Sequence, residues 1–284
     1  MSSTLAPPAA LPGRVLPISR AGVAVLLALA LANGLFLYLV PAQAATHYAW
    51  SIRPPIAAAF LGAGFLAGTV PTALVVFATD RWRSLRVLPP ALFVLAVTLL
   101  AATIMHADRF RWGYPPTWGW AAVYATVPVG VALLWRRQER NAEPAPAAHP
   151  ALRPVRRLSA AAGALLVVGA ALLFAAPHRL GGLWPWELTP LLGRAVGPWY
   201  AMVGVMLLAC ARALRGPQEA IIPYATLAAW SALLLGLPVL HAGDIVRGGA
   251  DEAVWVTTSL ALLALAIFAL ARAVPAARAE AERL

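Results

Sequence analysis

Eight long apolar runs, separated by short polar or proline-rich stretches, dominate the chain. Each run is continuously apolar, whereas strands of a membrane barrel alternate every second residue, so helices are expected. A run of about 18 to 24 residues crosses a hydrocarbon core of about 30 Å at 1.5 Å per residue. The pattern predicts spans at Val23–Val40, Ile56–Phe77, Pro90–Met105, Trp118–Trp135, Leu158–Ala176, Leu191–Leu214, Ala220–Leu240 and Val254–Ala271. The expected fold is all-α and transmembrane.

Scarce residues recur along these runs. Pro41 and Pro177, Trp50 and Trp186, Ile52 and Leu188, Pro54 and Pro190, and Gly68 and Gly204 are each separated by 136 positions. His106 and His241, and Trp120 and Trp255, are separated by 135. Ala and Leu are too common here for their matches to count, but Trp, Pro and Gly anchors at one offset predict an internal duplication. Each unit reads as a span, a W-x-[IL]-x-P return, a second span, a third ending in His and a fourth opening near Trp. Four spans is an even number, so both units insert with one orientation, as parallel repeats related by an axis along the membrane normal. The resulting division is a disordered cytoplasmic lead (1–20), a first repeat (21–136), a linker (137–157), a second repeat (158–273) and a tail (274–284).

Composition agrees with a membrane chain: 61% of residues are hydrophobic, and the mean hydropathy is +0.76. The net charge of +11 raises nucleic-acid binding, but its distribution points elsewhere. All the basic residues are arginine. Arg14 and Arg20 precede the first span, Arg81, Arg83 and Arg86 follow the second, and Arg136, Arg137, Arg140, Arg153, Arg156 and Arg157 crowd the centre. Arg212 and Arg215 follow the sixth span, and Arg272, Arg278 and Arg283 follow the eighth. Every second loop is basic, which by the positive-inside rule puts both termini in the cytoplasm, with the protein in a plasma membrane. The expected partners are the bilayer and, at these arginines, anionic headgroups, with no nucleic acid.

The small-residue site Pro41-Ala42-Gln43-Ala44 behind a basic flank fits a cleaved signal peptide. The counterpart Pro177, after the fifth span, favours a retained helix. The single Cys210 permits no intramolecular disulfide, and His149 in the linker reads as solvated.

In lipid, helices associate through small residues that let backbones approach. Gly64-x-x-x-Gly68 and Gly193-x-x-x-Gly197 make the second and sixth spans the candidate central helices, and Asn33 in the first span needs a hydrogen-bond partner.

No ionisable residue lies at mid-membrane depth, which argues against a proton- or ion-coupled pump. No G-x-S-x-G, H-E-x-x-H, P-loop or dinucleotide fingerprint is present. Polar residues gather at the non-basic ends instead. Trp50, Arg53, Trp184, Trp186, Glu187 and Arg194 are candidates for the lips of an outer pocket between the repeats. Glu187 and Arg194 stand near two helical turns apart. Boundary Trp also serves as a plain membrane anchor. No cofactor is required, although His106, Asp108, His241 and Asp244 offer imidazole and carboxylate for a metal, or His106 and His241 for a haem. Asp251 and Glu252 fit capping charge at a helix start.

The passages Ala49-Trp50-Ser51-Ile52-Arg53-Pro54-Pro55, Leu61-Gly62-Ala63-Gly64 and Trp184-Pro185-Trp186-Glu187-Leu188-Thr189-Pro190 resemble bacterial polytopic membrane proteins of unknown function. Each half is also faintly similar to DoxX-like four-span modules, which carry an arginine early in the second span. Arg194 matches that arginine, and Ala58 in the first half departs from it. The expected function is non-enzymatic binding, passage or sensing of a small or lipid-like ligand at the outer pocket. Two alternatives stand beside it, a metal- or haem-dependent redox component and an assembly partner of another membrane protein that docks on the glycine faces.

Overall fold

The computed structural model describes residues 12–145, 147–246 and 249–282. Eight helices in it are long and apolar enough to cross a membrane, and no strand element occurs among the described residues. They are α1 (Pro17–Leu39), α2 (Pro55–Phe77), α3 (Leu88–Met105), α4 (Pro115–Arg140), α5 (Arg153–Ala175), α6 (Pro190–Ala213), α7 (Pro217–Leu240) and α8 (Ala250–Ala281). The protein is a multi-pass, all-helical membrane protein.

The helices α1 to α7 begin with proline at their first or second position. Proline suits that place because its missing N–H would be unpaired there and its φ is already helical. Several helices therefore start before the apolar runs do, α1 at Pro17 and α5 at Arg153, and basic turns extend other ends, α4 to Arg140. The expected tail from 274 is helical as far as Ala281, with Ala273 and Ala277 buried. In the linker, α4 continues to Arg140 and α5 resumes at Arg153. His149, expected in water, accepts the Ala151 N–H at the start of a short 3-10 turn.

Helix α1 packs along α2 and α5 along α6, while α4 packs along α3 and α8 along α7. Two crossed pairings join the halves, α2 with α7 and α3 with α6. The expected pair of central helices needs correction: α6 is the most enclosed, α7 is next, and α2 follows. α2 and α6 meet chiefly at one crossing, where Gly64 lies so close to the Trp199 ring that no Cβ fits.

Glycine use is also uneven. Gly193 and Gly197 pack against Pro177 and the Ala170 carbonyl. Backbones approach closely between α1 and α2, where a Cβ on Gly62 would stand 2.6 Å from the Tyr38 nitrogen, and between α5 and α6, where a Cβ on Gly163 would stand 2.8 Å from the Gly204 carbonyl. Gly68, expected to pack, has no atom within 4 Å of a Cβ position. Gly64, Gly193 and Gly197 are thus occupied inside the protein and do not form a docking face. Asn33 donates to the Leu29 carbonyl and accepts from the Tyr48 hydroxyl at 3.2 Å, which satisfies both ends of its amide.

Arginine-rich ends of the helices share one face. There Arg83 pairs with Glu219 at 3.0 Å, joining the α2–α3 loop to the start of α7. Part of the expected disordered lead is ordered on the same face. Residues 13–16 bridge the α2–α3 loop and the end of α4, while residues 1–11 lie outside the described residues, as do Pro146, Arg247, Gly248, Arg283 and Leu284.

Candidate functional site

At the non-basic face, the loops following α1 and α5 each open with a short helical turn. Their hinges share one backbone conformation, φ −129° and ψ 50° at Val40 and φ −129° and ψ 56° at Ala176. The W-x-[IL]-x-P tryptophans do not form lips there. Trp50 packs edge-on to Trp120 at 4.8 Å between ring centroids, beside Tyr48 and Phe110. Trp186 is fully buried against Trp255, Trp184 and Phe60. These rings are core because an indole has a large apolar area to bury, and edge-to-face contacts suit its quadrupole. Arg53 and Glu187 are exposed.

Arg194 does not face Glu187 across a pocket. Its Nε donates to the Phe174 carbonyl at the end of α5, and Nη1 lies 2.9 Å from His106 Nε2. The guanidinium carries only donors, so His106 accepts through an unprotonated Nε2. Burial first, and then the Arg194 charge, lower the His106 pKa, with Asp108 opposing them.

On the other side of the pairing, His241 Nδ1 stands 3.7 Å from Asp244 Oδ2, and the same oxygen accepts the Ile56 N–H at 2.9 Å. Asp108 is exposed beside Arg109. The four residues offered for a metal do not come together, and among the described residues no three His, Cys, Asp or Glu side chains converge on a metal position. Two of the four, His106 through Arg194 and Asp244 through the Ile56 N–H, fasten the halves together. Asp251 and Glu252 lie in the first turn of α8, where their charge complements the helix dipole.

A long opening lies elsewhere, inside the first four helices and toward the basic face. A cavity of about 660 Å³ runs between α1, α2, α3 and α4 and touches α6 and α7 at Met202 and Trp230. From Gly64 to Val75 its α2 wall rises about 16 Å at 1.5 Å per residue, so the cavity is long. Val15, Trp82, Leu85 and Trp135 floor it. The few hydroxyls along it are already committed, Thr72 to the Gly68 carbonyl, Thr126 to Ala122 and Thr226 to Ile222. Apart from the indole N–H groups of Trp135 and Trp230, which have no partner, its surface is chemically apolar.

Small side chains line the cavity where the residues 135 or 136 positions later are larger. Pro71 stands 136 positions before Leu207, Gly130 stands 135 before Leu265, and Pro89 the same distance before Tyr224. Leu207, Leu265 and Tyr224 are all buried. Tyr224 also hydrogen-bonds Ser159 across α5 and α7. Gly68 and Gly130 meet nothing within 4 Å of a Cβ position, so both face the void.

No family model, curated protein or solved structure matches the chain. Its site must be read from its own geometry.

The cavity communicates with the membrane side. α1 and α4 flank it while each packs along a different neighbour, α2 and α3. Val25 on α1 is 60% exposed and Val129 on α4 is 59% exposed, at the edges of the gap. Near the basic end the gap narrows, where Gly22 faces Leu134 and Ser19 donates to Gln138. A second, smaller cavity of about 240 Å³ lies between α5, α6 and α8. Among the six pocket candidates only Trp184 lines either cavity. Sequence reasoning misses the main site, for which the usable signal is the small residues Gly68 and Gly130 at positions free of helix contact.

Proposed function

We propose that the protein binds a lipid-like ligand with a long apolar chain in the cavity between α1 and α4. The observation that carries this reading is the cavity of about 660 Å³. Its size falls in the range of ligand pockets, about 300–1,000 Å³. Its wall carries no charge and is apolar except for the unpartnered indole N–H groups of Trp135 and Trp230, and its gap between α1 and α4 faces the bilayer, where apolar chains are abundant. The location differs from the outer pocket between repeats that the sequence suggests.

The reading places the basic face in the cytoplasm of a bacterial plasma membrane, with both termini on that side. The exposed Arg136 and Arg137, just past the cavity floor on α4, then meet anionic headgroups. A duplicated origin is supported by the matched pairings, α1–α2 with α5–α6, α4–α3 with α8–α7 and α2–α7 with α6–α3. After duplication, one copy filled this space and the other left it open.

Adding a long-chain lipid to delipidated protein is expected to raise its thermal stability, since a ligand bound only by the folded state stabilises it. Gly130→Leu, which places a bulky side chain in the void, is expected to weaken that response. An equal response in wild type and Gly130→Leu rejects the cavity as the site.

A further inference from the structure

We infer that the segment Gly13–Leu16 is a displaceable plug that closes the cavity toward the basic face and governs whether its contents reach water on that side. The inference rests on the lipid-binding reading only for what the cavity holds. The sealing role stands on its own geometry.

The segment crosses the cavity floor as a short extended strap. Val15 is buried against Val75, Trp82, Leu85 and Ile222, and it lines the cavity from below. On one side the Gly13 carbonyl accepts from Trp82 N–H at 2.9 Å, and Val15 N–H donates to the Asp80 carbonyl at 2.6 Å. On the other side Gly13 N–H donates to the Asn141 carbonyl at 2.8 Å. Gly13 has φ +77°, and a Cβ there would strike Glu143, so the bend that starts the strap requires glycine.

Gln138 is the latch. Its side chain is fully buried. Its Oε1 accepts from Leu16 N–H at 3.1 Å and from the Ser19 hydroxyl at 3.3 Å, and its Nε2 donates to the Arg14 carbonyl at 2.5 Å. One glutamine of α4 thus ties down both the strap and the first turn of α1, across the narrow end of the gap. A buried amide is expensive to leave unpaired, so these bonds hold together or fail together.

The strap is nonetheless the least anchored wall of the cavity. The helices bury whole faces in their neighbours, whereas the strap inserts Val15 and relies on hydrogen bonds near a solvated surface. Its one ion pair, Arg14 with Asp80, is exposed. Segments of this kind open locally at less cost than the core. With the strap in place the cavity communicates only with the bilayer. With it displaced, a continuous path runs from the bilayer through the cavity to the basic-face solution.

The test uses the full chain in lipid nanodiscs with Cys210→Ala as background and Gly68→Cys as a reporter in the cavity. The probe is a charged, membrane-impermeant methanethiosulfonate. Labelling is expected to be slow with Gln138 present and faster by at least roughly tenfold in Gln138→Ala, since that change removes three hydrogen bonds from the latch. Gln138→Glu, which keeps the acceptor for Leu16 and Ser19 and loses the donor to Arg14, is expected to give an intermediate rate. Thermal melting of each variant checks that the helices remain folded. Equal rates with and without Gln138, in folded protein, overturn the plug. Photolabelling of the same nanodiscs with an alkyl-diazirine lipid reports separately on the ligand: loss of cavity labelling with a normal Gln138 effect removes the lipid reading and leaves the plug.

Discussion

Asp244 Oδ2 accepts the backbone N–H of Ile56 at 2.9 Å, across 188 residues of chain. The N-cap of α2 is Pro54, whose side chain accepts nothing, and Pro55 follows it. Ile56 carries the first N–H of the helix, and the loop after α7 supplies its acceptor. α6 solves the same problem locally, through Thr189 and the Leu192 N–H. Capping of α2 thereby becomes a contact between the halves, and it also sets a carboxylate at the positive end of the helix dipole. Asp244→Ala is expected to lower unfolding free energy by about 1 kcal/mol, within the usual cap range, and Asp244→Asn by less. Thermal unfolding in detergent measures both.

The contact between His106 and Arg194 predicts a pH dependence. The folded pKa of His106 is lowered by burial and by Arg194, so the unfolded chain binds the extra proton first. Stability from this group is complete above the unfolded value of about 6.5 and falls as pH drops below it toward the folded value. Melting temperatures between pH 8 and pH 5 are expected to decline in wild type. The portion due to this contact disappears in His106→Gln, which keeps an acceptor and cannot titrate.

Glycines that look alike in sequence are expected to separate in stability. Gly163→Ala pushes a methyl group toward the Gly204 carbonyl, forcing α5 from α6 at a cost of about 1–3 kcal/mol. Gly68→Ala adds the same methyl group to open space, and it gains about 0.4–1 kcal/mol from the reduced freedom of the unfolded chain. Paired unfolding measurements with opposite signs are the expected result.

The spans are readable in the sequence because continuous apolar runs of membrane length leave few alternatives, and their ends differ where proline and arginine belong to the helix, most at α8, which runs on from Ala271 to Ala281. Trp50 and Trp186 read wrongly as lips because a boundary tryptophan looks the same whether its ring faces lipid, solvent or core. The fasteners are invisible for a different reason: Asp244 and Ile56, or Arg14 and Gln138, are far apart in sequence and become partners only through the α2–α7 and strap–α4 packing. The cavity is hardest of all. A void is set by side chains that fail to reach it, and Gly68 reads as packing glycine until the helix it would contact is known to lie elsewhere.

The cavity fill at Gly130 gives one more expectation. Gly130→Leu copies the residue found 135 positions later, Leu265, into space with no atom within 4 Å. It is expected to raise the melting temperature of delipidated protein, because it replaces a void with packed apolar surface and a helix-weakening glycine with a good helix former. Calorimetry or a thermal shift series gives the comparison.

The most direct measurement is site mapping with an alkyl-diazirine lipid in nanodiscs, read by peptide mass spectrometry in wild type and in Gly130→Leu. Binding in the cavity predicts labels concentrated on its α1, α2 and α4 walls, near Leu29, Gly68 and Thr126, and reduced in Gly130→Leu, where the added side chain occupies part of the void. Labels spread over all lipid-facing helices and unchanged by the substitution would contradict it.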